Sequence, residues 1–258
     1  MRGGSILLCY NPVLMKYLVV ADIHSNLEAF QAVLDDVNQN YGGFDHIWCL
    51  GDIVGYGPSP SQCINLLKEF DYTCICGNHD QAAVGKLDTS DFNADAASAN
   101  EWTARQISDD ERQFLLDLPE SFVEGEFTIV HGSPRAPVWE YITSAISATE
   151  SFRYFDTRYC LVGHTHVPFV FEQDEVTVNE GYLGSGDMLV LGDHRLIINP
   201  GGVGQPRDRD PRASYAVYDS EKNAVYHYRV SYDVSATQEK MEEAGLPVFL
   251  ISRLGWGV

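Results

Sequence analysis

A chain of 258 residues that is 45% apolar, 21% charged and 12% aromatic has a globular composition and is long enough for one large domain or two small ones. No apolar run approaches the roughly 18–20 residues of a membrane span, and a net charge of −20 argues against non-specific binding to nucleic acid or anionic lipid. A small phosphorylated ligand stays possible, because bound cations can reverse the local field.

Residues 1–14 carry one Arg and a short apolar patch, with no secretory cleavage signal. Met15 is read as the natural start and residues 1–14 as an upstream extension with little order. Residues 15–258 are read as one domain, since no repeat, linker or low-complexity stretch divides them. Tyr17–Ala21 is a continuous apolar run and predicts a buried strand. Ser25 and Glu28 read as a capping box opening a helix, with Leu27, Phe30, Leu34 and Val37 inward, to about Asn40. His46–Leu50 is the next strand. Ser59-Pro60-Ser61-Gln62 starts a second helix, and Tyr72–Cys76 is a third strand.

Residues 80–117 read as mostly helical, with a loop near Thr89–Asn93 and a capping box at Ser108–Glu111. Strands follow at Phe127–Val130 and Tyr159–Val162 around a helix near Ala145–Phe155. Beyond Pro168 come short strands: Phe169–Phe171, Met188–Leu191, Leu196–Ile198, Tyr215–Asp219 and Ala224–Arg229. Gly181–Gly186 reads as a hairpin tip or flap, and a helical tail covers about Ser235–Arg253, broken near Gly245-Leu246-Pro247. Strands alternating with helices, then strands in succession, predict an α/β fold with sheet layered on sheet and helices outside.

Six cysteines, at 9, 49, 63, 74, 76 and 160, form no Cys-x-x-Cys pair. They read as reduced thiols of a cytoplasmic protein. Five motifs rich in Asp, His and Asn each follow an apolar run: Asp22-Ile23-His24, Gly51-Asp52, Gly77-Asn78-His79-Asp80, Val130-His131-Gly132 and Gly163-His164-Thr165-His166. Loops at the C-terminal ends of sheet strands can converge on one site. The set offers O and N donors without thiolate, which suits Mn, Fe, Zn or Ni and a pair of ions clamping the attacking and leaving oxygens of an in-line displacement.

The order of these motifs resembles the calcineurin-like metallophosphoesterase superfamily over about residues 17–200. His131-Gly132-Ser133-Pro134-Arg135 and the run from Asn199 to Arg207 are similar to its prokaryotic phosphodiesterase and diadenosine-tetraphosphatase-like branch. The resemblance implies a four-layer α-β-β-α sandwich of two mixed sheets packed face to face. It implies a first metal held by Asp22, His24 and His166 and a second by Asn78, His131 and His164. Asp52 would bridge both. Metal-bound hydroxide would attack phosphorus, His79 would protonate the leaving oxygen or stabilise its charge, and Asp80 would orient the His79 ring.

Protein phosphatases of the superfamily carry Gly-Asp-x-Val-Asp-Arg-Gly, whereas here the string is Gly51-Asp52-Ile53-Val54-Gly55-Tyr56-Gly57. The phosphate-gripping Arg is missing, so Tyr56, Arg135 and Arg207 become the candidate substrate contacts. The expected activity is hydrolysis of a small phosphorylated substrate, a nucleotide among the candidates, as a phosphodiesterase or dinucleoside-polyphosphate hydrolase. The alternatives are a phosphomonoesterase or protein phosphatase of the same fold, or a metal-binding scaffold without turnover. Oligomeric state is left open.

Overall fold

The computed structural model describes residues 14–258, so the extension expected over residues 1–14 lies, apart from Leu14, outside the described residues. The first strand, β1 (Lys16–Val20), is rich in β-branched and apolar residues and is followed by α1 (Leu27–Asn40), β2 (His46–Cys49), α2 (Pro60–Leu67) and β3 (Tyr72–Cys74). Next come α3 (Asn78–Ala83), α4 (Ala94–Gln106), α5 (Asp109–Asp117), β4 (Ser121–Glu124), β5 (Phe127–Val130), α6 (Ala145–Ser151) and β6 (Tyr159–Leu161). The chain continues through β7 (Pro168–Gln173), β8 (Val178–Tyr182), β9 (Met188–Val190), β10 (Arg195–Pro200), β11 (Ala213–Asp219) and β12 (Ala224–Val230), and ends in α7 (Val234–Glu243) and α8 (Val248–Leu254).

The strands form two six-stranded mixed sheets, ordered β3-β2-β1-β11-β12-β9 and β4-β5-β6-β10-β7-β8. Alternation within each strand explains the layers. In β1, Val19 faces the opposite sheet with Trp48, Ile129, Leu161 and Ile198. Leu18 and Val20 face the other way, against Phe30, Val33 and Ile64 of α1 and α2. On the second sheet, Cys160 and Ile197 turn outward to pack with Ala148 of α6 and Phe152. The result is helix, sheet, sheet, helix, as expected for this α/β fold.

What positions the site is a shared polarity. β1, β2 and β3 run parallel to one another, and so do β5, β6 and β10 in the other sheet. Their C-terminal ends meet at one edge of the sandwich. There His164 N–H reaches the Asp22 carboxylate across the sheets at 3.1 Å, and the His131 ring reaches Leu50 O at 2.8 Å.

Several local expectations fail for identifiable reasons. Asn26, not Ser25, caps α1 by accepting from Ala29 N at 3.1 Å. Glu28 instead pairs with Lys240 of α7. Ser59 makes no side-chain cap at α2. β4 and β8 were not expected, because edge strands such as Val178-Asn179-Glu180-Gly181-Tyr182 lack an apolar run. The hairpin reading of Gly181–Gly186 is corrected: Gly181 and Tyr182 belong to β8, paired with β7, and the chain then crosses to the opposite sheet, where β9 pairs with β12.

Candidate metal centre and active site

Asp22, His24, Asp52, Asn78, His131, His164 and His166 are all buried and fall into two groups. Asp22, His24 and His166 can place one donor atom each within 4.8 Å of one another, and so can Asp52, His131 and His164. Asn78 joins the second group, its Oδ1 3.1 Å from His131 Nε2. Asp52 Oδ2 lies between the groups, 3.6 Å from His24 Nε2 and 3.3 Å from His131 Nε2.

Each of the four rings has one nitrogen against a backbone carbonyl. His24 Nδ1 faces Val54 O at 3.1 Å, His131 Nδ1 faces Leu50 O, His166 Nδ1 faces Gln205 O at 2.6 Å, and His164 Nε2 faces Trp139 O at 3.1 Å. A carbonyl only accepts, so each of these nitrogens carries the hydrogen and the other presents a lone pair inward. The inward atoms then crowd: His24 Nε2 lies 3.1 Å from His166 Nε2, and His131 Nε2 lies 3.2 Å from His164 Nδ1. The lone pairs of His24 and His166 so placed repel unless a cation sits between them, and between His131 and His164 a proton or a cation must lie. Donors each about 2.1 Å from one ion lie roughly 3.0–3.5 Å apart, so the spacing fits. Among the described residues Asp52 Oδ2 is buried with only the inward ring nitrogens of His131 and His24 near it, at 3.3 and 3.6 Å, a charge that a proton on His131 or a bound cation must balance.

Electrostatics point the same way. Burial pushes the Asp22 carboxyl up to about 7, and burial pushes the imidazoles of His24, His164 and His166 down. Asp52 is held well below the usual carboxylate range, since His131 and His79 outweigh its burial. Burial alone would lower His131, but the Asp52 charge lifts it to about 9. The backbone is strained as well: Asp22, His24, Asp52, His164 and His166 all have φ between 49° and 65°. The left-handed region costs an ordinary residue roughly 1–2 kcal/mol, and such strain collects at functional sites.

His79 stands at the same edge, its ring centroid 4.9 Å from that of His24 and 4.3 Å from that of Tyr56. Asp80 does not touch the His79 ring. Its oxygens accept from the backbone N–H groups of Asp52 (2.8 Å), Gly77 (2.9 Å) and Val54 (3.1 Å). It therefore clamps the Asp52 loop onto the first turn of α3. The His79 ring is positioned by Asn100 of α4, whose Nδ2 donates to Ala96 O at 3.2 Å and lies 2.8 Å from His79 Nδ1. Because Ala96 O can only accept, the amide nitrogen must face it, so His79 Nδ1 accepts and Nε2 bears the hydrogen. Burial pushes this imidazole down to about 4.

The three expected substrate contacts separate. Tyr56 is buried, with φ +57°, between His24 and His79. Arg207 sits beside it, Nη2 3.4 Å from the Tyr56 hydroxyl and 2.9 Å from Gln205 Oε1. Arg207 leaves Asp208 and Asp210 to Arg229 and Arg212. Arg135 is corrected: its guanidinium is 40% exposed and taken by Glu140. Sequence reasoning missed Asn100 and Tyr141, whose ring stacks on His164 at 3.8 Å. Asn100 shares the buried stripe of α4 with Ala96, Ala99 and Thr103, a polar residue on a buried face being the one signal available.

Comparison with known proteins agrees with this arrangement. The model of the calcineurin-like phosphoesterase superfamily domain matches residues 15–223. An uncharacterised protein of Methanocaldococcus jannaschii is 38% identical over 245 residues, covering 93% of this chain and 97% of the relative. The crystal structure of a metallophosphoesterase from Sphaerobacter thermophilus superimposes with a TM-score of 0.87 at 45% identity, covering 95% of this chain and 100% of that one. A hypothetical protein of Pyrococcus horikoshii shares the fold, with a TM-score of 0.78 at 22% identity over 94% of this chain and 98% of its own. The motif order, the paired donor triads and these likenesses lead to one assignment: the chain belongs to the calcineurin-like phosphoesterase superfamily.

Proposed function

We propose that the protein hydrolyses a phosphate diester or a dinucleoside polyphosphate at a binuclear metal centre. The first ion would be held by Asp22, His24 and His166, the second by Asn78, His131 and His164, with Asp52 shared. The observation that carries this reading is the Asp52 carboxylate, buried and placed between two groups of buried donors, its Oδ2 3.6 Å from His24 Nε2 and 3.3 Å from His131 Nε2. When bound, two cations supply Lewis acidity at the phosphoryl oxygens and a water acidic enough to act as nucleophile near neutral pH. The donor set accepts Mn, Fe, Zn or Ni.

The chain's own groups do the rest. Arg207, reaching the Tyr56 hydroxyl from 151 residues further along the chain, supplies the guanidinium that the Gly-Asp motif lacks and binds a non-bridging oxygen. His79, neutral at pH 7, donates a hydrogen bond from Nε2–H to the leaving oxygen as charge develops there, keeping its proton. Asp80 and Asn100 are positioning residues. The absence of an Arg at Tyr56 in the Gly-Asp motif supports a diester or anhydride over a phosphoprotein. Buried thiols at Cys49, Cys63, Cys74, Cys76 and Cys160 suit a reducing compartment such as the cytoplasm. No helix among the described residues is long and apolar enough to cross a membrane.

The test is a panel of p-nitrophenyl phosphate, bis-p-nitrophenyl phosphate, dinucleoside polyphosphates and phosphopeptides, assayed with protein stripped and reloaded with single metals. Hydrolysis of the diester or dinucleotide well ahead of the others supports the reading. Fully loaded protein that cleaves none of them is a scaffold. A clear preference for phosphopeptides overturns the substrate choice.

A further inference from the structure

A cavity of about 390 Å³ lies beside the metal cradle, bordered by Thr165 between His164 and His166 and by Tyr141 against His164, within the range of small-ligand sites. One wall is a face of the β7–β8 hairpin. Phe169 pairs across the strands with Tyr182, and Phe171 with Glu180, so the four side chains share one face. The opposite wall is the 141–143 loop, and Thr165 and Arg207 close the end nearest the metal centre. Tyr141 joins the two spaces, since its ring lines the cavity and stacks on His164.

This lining is selective. Tyr141 and Tyr182 are 47% and 73% exposed, so both are accessible from the cavity, Tyr141 with one ring face already on His164. Glu180 is an acceptor with no donor of its own among the hydrogen bonds or ion pairs of the described residues. An acyl chain would gain nothing from that carboxylate, and an acidic peptide would be repelled by it and by the overall charge of −20. A planar heterocycle with an exocyclic amine meets every wall: it stacks on tyrosine and donates to the carboxylate. Arg207 at the near end then faces the phosphate.

We propose that this cavity is the base subsite of the enzyme and that it holds the amine-bearing nucleobase of a nucleotide whose phosphate lies in the metal cradle. The inference rests on the phosphoesterase reading above. It narrows the substrate class to esters or anhydrides of nucleotides and makes Tyr182 and Glu180 specificity-determining residues.

The test compares the p-nitrophenyl ester of 5′-AMP with methyl p-nitrophenyl phosphate on the metal-loaded enzyme. Adenosine binding to the metal-free protein is followed separately by saturation-transfer NMR. The AMP ester should have the lower KM by tenfold or more, since stacking on one aromatic residue is worth about 1–3 kcal/mol. Tyr182→Ser and Glu180→Ala, both on an exposed edge strand, should each raise that KM about tenfold, leave kcat for the AMP ester within twofold, and weaken the adenosine signal. Equal kcat/KM for the two esters, or adenosine binding that neither variant affects, overturns the subsite. Failure of the loaded protein to cleave either ester overturns the hydrolase reading instead, and an adenosine signal that weakens in both variants would still place the base here.

Discussion

Asn100 Nδ2 lies 2.8 Å from His79 Nδ1 and shares its second hydrogen with Ala96 O. This contact decides which His79 nitrogen is protonated. Replacing Asn100 with Ala frees the ring to rotate and to exchange tautomers. We expect kcat to fall roughly 10- to 100-fold, within the range of a general acid or hydrogen-bond donor, with metal content and KM little changed. Asn100→Asp should move the hydrogen to Nδ1 and raise the pKa of the ring. The 15N shifts of His79 would show both changes, and an unchanged tautomer in Asn100→Asp would remove Asn100 from this role.

Asp52→Asn separates the metal role of the carboxylate from its structural one. Asn tolerates the left-handed φ of 55° at this position better than Ala does, and its Oδ1 can still accept from His79 N, now 2.8 Å from Asp52 Oδ1. Its Nδ2 would face the inward nitrogens of His24 and His131 and satisfy them. The metal-free variant should therefore melt at or above the metal-free parent temperature, while metal stoichiometry drops from two to one or none and turnover falls by about 10³ or more. Elemental analysis with calorimetry checks both. Full metal content would refute the bridging role.

Gly77→Ala tests how closely the Asp52 and α3 loops approach. A Cβ at Gly77 would stand 2.0 Å from Asp52 Oδ1 and 2.5 Å from its backbone nitrogen, so the loop itself must move. Overpacking of this kind costs about 1–3 kcal/mol, or a Tm loss of roughly 2–12 °C for a chain of this size, together with weaker metal binding. Gly192→Ala, where a Cβ would meet nothing within 4 Å, is the control and should melt like the parent.

The convergence of the candidate ligands was legible because they follow apolar runs, and a run of β-branched and aromatic residues ends where its strand ends. Asp22, Asp52 and Asn78 come after β1, β2 and β3, and His131 and His164 after β5 and β6, so five local motifs give five points on one edge. Asn100 was not legible: its partner is 21 residues away, and only the packing of α4 on α3 shows that the amide faces His79. The role expected of Asp80 failed because a carboxylate at the third position of a helix can cap backbone as readily as orient a ring, and three N–H groups outbid one imidazole. Arg135 is held by Glu140, five residues on, a local pairing that the sequence reading did not weigh. β8 was missed because an edge strand in which only Val178 and Gly181 are part-buried carries no apolar period.

Metal binding should release protons, and the sign follows from two groups. Burial pushes Asp22 up to about 7, so its carboxyl is increasingly protonated below that pH. Against its burial, the Asp52 charge lifts His131 to about 9, so its ring holds a second proton below pH 9. A cation needs Asp22 ionised and His131 neutral, and must displace whichever protons are present. Affinity should therefore rise with pH, by about tenfold per unit between pH 7 and 9 and by up to about a hundredfold per unit below 7. Calorimetry in two buffers of different ionisation enthalpy would count the protons. Stripping the metals at pH 8 should lower the Tm by roughly 5–10 °C, the loss expected on removing a ligand held at 100 times its Kd. An affinity independent of pH would mean either that the cations bind elsewhere or that Asp22 is already ionised and His131 already neutral before they arrive, and proton counts near zero at both pH 6 and pH 8 would separate the second case from the proton release expected here.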